Sequence, residues 1–228
     1  DPEANVEYYT EEGIPKESVL EYLLNIANSN FEIWRKQNPN VNLYDFDFQI
    51  NKMNVSGALF DMVKMLDVSK NVISRMNAEE VYNNVKPWAD AYDSELAEML
   101  SNKDYALKVL GIERGNVKPR KDISKWNEVK DNIYYMFNDK FENVTDFEYA
   151  KITDKAEIRK ILDLYVDKYF DINDDKQTWF DKMKDLAEEV GYAREVKEFK
   201  AEPEKWPGHV GDISTVIRVS LTGRQNTP

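Results

Sequence analysis

Several residues have the type and spacing to do chemistry. Asp171, Asn173 and Asp175 follow the one-three-five spacing of a calcium loop. Lys176 then stands where the loop needs a glycine for its turn, and Lys182 where it needs a bidentate glutamate. Helix capping is the better reading of these three. His209, in WPGHVGD, is the only histidine of the chain. A Ser-His-Asp triad needs partners that this motif does not attach, and a two-histidine metal site needs a second ring. The residue reads as a turn residue or a partner of a backbone carbonyl. With no cysteine in the sequence, disulfides, thiolate zinc sites and cysteine nucleophiles are excluded. Adjacent acids such as Glu79–Glu80 and Glu188–Glu189 point away from each other on a helix and make no acid–base pair. No glycine-rich phosphate loop occurs. The one compact basic run, RGNVKPRKDISK at 114–125, sets Arg114, Lys118, Arg120, Lys121 and Lys125 against Asp122. On charge alone it reads as a solvated loop. A net charge of −12 argues against a phosphate-rich partner, yet binding uses a local face and not a global sum.

The elements that must position these residues read as helices nearly throughout. With 42% apolar and 12% aromatic residues in 228, the chain has the material for a real core. No apolar run approaches the length of a membrane span and no leader is visible, which suggests a cytosolic protein. Pro15 precedes a stripe of Val19, Leu23, Ala27, Phe31 and Trp34. Leu59, Met62, Val63 and Leu66 form a second stripe, continued by Val72, Ile73 and Met76. Asn77 with Glu80 predicts a capping box, opening a helix with Val81, Val85, Trp88 and Ala89 that Pro87 should kink or break. A short helix is expected from Lys103 to a glycine stop at Gly111, and another over 123–137. Asp154 with Glu157 opens a helix whose Ile158, Ile161, Leu162, Tyr165, Val166 and Tyr169 share a face. The next begins near Asn173 and stops at Gly191. The segment 214–221 could be a strand on propensity. Asp212 as a cap and Gly223 as a stop favour a short helix. The fold class is all-α, with junctions near Asn77 and over 143–154.

Four stretches, in order along the chain, resemble one family. DPEANVEYYTEEGIPKESVLEYLLNIANSN at 1–30 resembles the stretch that follows the catalytic lysine-serine-lysine loop of bacterial glutamyl-tRNA synthetases. INKMNVSGALFDMVKMLDVSKNVISRM at 50–76 is similar to that family's continuation. LKVLGIERGNVK at 107–118 resembles its leucine-rich segment with a Glu-Arg pair. GHVGDISTVIRVSLTGRQNTP at 208–228 resembles its C-terminal leucine-arginine-valine-alanine-leucine-threonine-glycine motif, with Ile217 and Ser220 departing from it.

The resemblance implies the C-terminal, tRNA-binding part of a glutamate–tRNA ligase, following a nucleotide-binding catalytic half. It implies a stem-contact helical region over 1–77 and two helical anticodon-binding subdomains over 78–145 and 146–228. Arg218 matches the motif arginine that contacts the anticodon, Thr227 and Pro228 match residues lining the same pocket, and Arg114 matches the arginine that reads the last anticodon base. A guanidinium suits the task, because its planar fork of donors fits the edges of unstacked bases. The resemblance further implies tRNA(Glu) as partner, with no DNA and no membrane, and a cytoplasmic monomer. It implies no catalytic residue, metal or cofactor in this part; ATP and magnesium belong to the catalytic half. The competing reading is an acidic helical scaffold that binds other proteins, and for Arg218 a salt bridge on a helix surface.

Overall fold

The computed structural model describes residues 2–53, 57, 59–142 and 144–227. It is all-α: among the described residues there is no strand, only isolated bridges between Asn28 and Met53 and between Ala193 and His209. Two compact units divide the chain, Asp1–Tyr134 and Tyr135–Thr227.

Among the described residues the first unit carries the α-helices α1 (Val6–Glu11), α2 (Lys16–Ala27), α3 (Phe31–Gln37), α4 (Met62–Arg75), α5 (Ala78–Tyr92), α6 (Ser94–Met99), α7 (Lys103–Leu110) and α8 (Val129–Ile133). Helices α2 and α4 pack through Tyr22 and Met65, both fully buried. Ser18 and Ser69 let the two approach closely, their hydroxyls 2.9 Å apart. Between α1 and α2 the chain turns at Gly13, where φ is +78° and an added Cβ would lie 2.8 Å from that of Trp126, so only glycine fits.

Helix α5 opens on the expected box, with the Asn77 carboxamide accepting from Glu80 N–H and the Glu80 carboxylate from Asn77 N–H. Pro87 does not break it: α5 runs on to Tyr92. Buried Val81, Val85 and Ala89 hold its inner face. The Trp88 indole N–H, one residue after the proline, is anchored on the carbonyls of Thr10 and Glu11, at 3.0 and 3.2 Å. Packing here outweighs the hydrogen bond that proline removes. Two further expectations are corrected. Leu59 lies before α4 and is 92% exposed, outside the apolar stripe it was assigned to. The stretch 123–137 is not one helix but a 3₁₀ turn at Trp126–Glu128, α8, and a second 3₁₀ turn at Tyr134–Met136.

The second unit carries α9 (Asn138–Phe141), α10 (Lys155–Leu164), α11 (Lys176–Glu189), α12 (Val196–Ala201) and α13 (Val210–Thr222). Helices α10, α11 and α13 surround a core of Ile161, Met183, Leu186, Ile213, Val216 and Ile217, each essentially inaccessible. Asp154 caps α10 as expected, accepting from Ala156 N–H at 3.0 Å. The face read as one helix through Tyr169 ends in a π-helical turn over Tyr165–Tyr169, with Phe170 N–H reaching back to the Tyr165 carbonyl at 2.8 Å. Helix α11 starts at Lys176, not near Asn173, because Asp175 and not Asn173 accepts the first free N–H, that of Thr178. Gly191 takes φ +87° just past its end, as expected. The segment 214–221 is helical and lies within α13.

Candidate nucleic-acid interface

The C-terminal half of α13 and the residues after it form the best-defined polar site of the second unit. Thr222 donates to the Arg218 carbonyl at 2.7 Å and accepts from Arg224 N–H at 3.2 Å. Gly223, at φ +69°, then reverses the chain. The Arg218 guanidinium donates through Nη1 to the Gln225 carbonyl at 3.0 Å, tying residues 223–227 back along the helix. Gln225 in turn donates to the Glu148 carbonyl at 3.3 Å, and Ser220 to the Tyr149 hydroxyl at 3.2 Å. Among the described residues no carboxylate pairs with Arg218, so the surface salt bridge weighed against a binding role is not formed. Thr227 lies half-buried at the end of the same segment. Pro228 lies outside the described residues.

Arg114 belongs to the first unit, and its surroundings differ. Its Nε donates to the Leu110 carbonyl at 2.7 Å, and its Nη1 to those of Ile73 at 2.9 Å and Met76 at 3.4 Å. These carbonyls close the C-terminal ends of α7 and α4, where a cation also meets the negative end of the helix dipole. Burial lowers its pKa from the usual guanidinium value, and Asp122 opposes the shift. Such a group still stays charged at neutral pH.

The basic run is likewise partly consumed by the fold. Arg120 chelates Asp122 at 2.6 and 3.1 Å, and Lys125 binds Glu12 at 2.5 Å. Among the described residues, Lys118 and Lys121 are its only cations without a partner, and both are exposed.

One charged cluster carried no sequence signal. Glu21, on α2, is 4% exposed. It pairs with Arg35 of α3 at 2.8 Å and Arg75 of α4 at 2.6 Å. Arg35 also donates to the carbonyls of Asn38 and Val41, at 2.9 and 2.6 Å, and lies over the Trp34 ring at 4.9 Å. The three lie far apart in the sequence, so no spacing rule could have joined them. The cluster lines an open groove of about 540 Å³. Glu17 and Glu80 line it too, which leaves the groove without the excess positive charge that a phosphate requires.

The remaining candidates resolve into capping. The Asp171 carboxylate accepts from Asn173 N–H at 2.9 Å, and Asp175 caps α11. His209 is the N-cap of α13, not Asp212 as the sequence suggested. Its Nδ1 accepts from Gly211 N–H at 3.0 Å, while Asp212, three residues on, accepts from His209 N–H at 2.9 Å. This is a capping box with imidazole in the usual hydroxyl's place, and His-x-x-Asp is a pattern that could have signalled it. Among the described residues no group of three or more His, Asp or Glu side chains is placed to hold a metal ion. No helix among the described residues is long and apolar enough to cross a membrane.

Known proteins bear on this arrangement. A glutamate–tRNA ligase of Clostridium perfringens is 44% identical over 231 aligned residues, covering all of this chain and 42% of that protein. The one from Acetivibrio thermocellus is 44% identical over 229 residues, and the one from Sorangium cellulosum 42% over 229. This sequence is a region of the glutamate–tRNA ligase family. The chain spans about two-fifths of the length of the curated glutamate–tRNA ligases that it matches. No family model matches it.

Proposed function

We propose that the chain is the C-terminal, tRNA-recognising part of a glutamate–tRNA ligase. Residues 1–77 contact the stem of tRNA(Glu), and 78–145 and 146–228 contribute to anticodon binding. The rest of the parent enzyme activates glutamate with ATP and magnesium, and this part alone catalyses nothing. Its location is cytoplasmic, with its RNA partner, and it acts as a monomer. The observation that carries this reading is similarity to glutamate–tRNA ligases along the whole of this chain, together with an arginine on α13 that, among the described residues, no acid neutralises. Arg218, Thr227 and Pro228 contribute anticodon contacts in this reading. Arg114 enters it with only its Nη2 donors uncommitted.

Titrating the chain with tRNA(Glu) at several salt concentrations tests the reading. Binding should weaken steeply with salt, since each phosphate contact releases counterions. It should also exceed binding to a tRNA with an unrelated anticodon. Salt-insensitive binding, or equal affinity for both tRNAs, would contradict it.

A further inference from the structure

Beside Arg218 lies a groove that neither the motifs nor the similarity assigns. It occupies about 380 Å³ and is walled by Phe147, Tyr149, Lys155, Ile158 and Gln225, with Glu148 at its edge. Gln225 joins it to Arg218: its carbonyl accepts from that guanidinium and its side chain donates to Glu148. The Phe147 and Tyr149 rings belong to residues two apart in the sequence. They are near-parallel, at 23°, with centroids 6.4 Å apart. That spacing is close to twice the base-to-base rise of about 3.4 Å in a stacked strand. Ala150 follows at φ +60°, a left-handed conformation that non-glycine residues hold only where the surroundings fix it. Just before it, the Tyr149 hydroxyl accepts from Ser220.

The lining chooses between ligands. Lys155 and Glu148 cancel, so the groove does not concentrate anions. Its walls are aromatic and aliphatic, with an amide at the rim. Such a site suits a flat, uncharged ligand with polar edges, which describes a nucleobase. The unpaired Arg218 next to it suits the charged backbone to which that base is attached.

We propose that the Phe147–Tyr149 groove stacks one unpaired base of the RNA that Arg218 contacts, with Lys155 at its mouth. The inference rests on the tRNA reading and adds to it residues that bind by stacking.

The test uses the full chain and an RNA hairpin with the anticodon arm of tRNA(Glu), both intact and with single abasic positions in the loop. Phe147→Leu and Tyr149→Leu should each weaken binding about tenfold, as loss of one base–aromatic stack does. The slope of affinity against salt should not change, because stacking displaces no counterions. Phe147→Tyr and Tyr149→Phe should restore binding. One abasic position should cost the wild type a similar factor and cost the leucine variants nothing further, a readout that a general loss of fold would not give. If the wild type binds the hairpin and the leucine variants match it, the groove proposal fails and the tRNA reading stands. The groove proposal also fails alone if every abasic loop costs the variants as much as the wild type. If the wild type does not bind the hairpin at any salt concentration, the anticodon-binding part of the tRNA reading fails and takes the groove with it.

Discussion

The two arginines that the resemblance singles out, Arg114 in the first unit and Arg218 in the second, do different work. In the first unit, Arg35 and Arg75 converge on buried Glu21, and Arg114 closes two helix ends through three bonds to carbonyls. In the second, Arg218 makes one bond, to the carbonyl of a nearby exposed residue. A motif match treats Arg114 and Arg218 alike. Their surroundings separate them, because a guanidinium whose donors lie on helix carbonyls has few left for a ligand. The lesson concerns carry-over by resemblance: it locates a residue, but hydrogen-bond accounting decides how much of that residue is free.

The comparison predicts a graded series. Glu21→Ala should be the most damaging change, because it leaves Arg35 and Arg75 without a counter-charge, and Arg35 Nε already lacks a partner. Breaking a buried pair in this way costs about 3 kcal/mol or more. Thermal or urea unfolding should show the loss. A near-neutral result would mean that water reaches the cluster and that the first unit's arginines are not structural.

Arg114→Ala should come next. Carbonyls at two helix ends lose a charged donor, for about 2 kcal/mol of stability. The same change at Arg218 should cost under about 1 kcal/mol, the value of one exposed hydrogen bond. Equal losses at the two positions, measured by urea unfolding, would erase the distinction.

The smallest effect concerns pH. Backbone hydrogen bonding from Thr178 holds the Asp175 carboxyl below its usual pKa. A lowered folded-state pKa means that this contribution is present above the ordinary carboxylate range and is lost as pH falls through the folded-state value. Asp175→Asn keeps a capping acceptor but removes the titration. Its unfolding curve should therefore depend slightly less on pH below the carboxylate range than that of the wild type.

How much of this was legible in the sequence depended on whether the deciding contact was local. The Asn77–Glu80 box, the Asp154 cap and the left-handed stops at Gly191 and Gly223 all formed as read, because each needs only neighbours within one turn. The break read at Pro87 did not form: Val85 and Ala89 are buried, and Trp88 is anchored on α1 across some 80 residues of chain, out of reach of any local rule. The break within 123–137 was hidden for a similar reason: Trp126 is held by its N–H on the Gly13 carbonyl at 2.8 Å. His209 was passed over because imidazole is a rare cap, although its spacing to Asp212 was readable. At the candidate site, Arg218 and the turn after it were legible from TG and the resemblance. The engagement of Arg114 and the Glu21 cluster was not, since both join helices distant in sequence.

The central claim is that Arg218 is the arginine free for RNA while Arg114 holds the fold. Measuring tRNA(Glu) affinity against salt for the wild type, Arg218→Ala and Arg114→Ala, each verified as folded by its melting curve, tests it directly. Arg218→Ala should weaken binding by about 1–3 kcal/mol if the contact is to a base edge, or lower the salt slope by about 1 if it is to a phosphate. Arg114→Ala should lose mainly stability. Unchanged affinity and slope for Arg218→Ala, with folded Arg114→Ala losing both, would contradict the account.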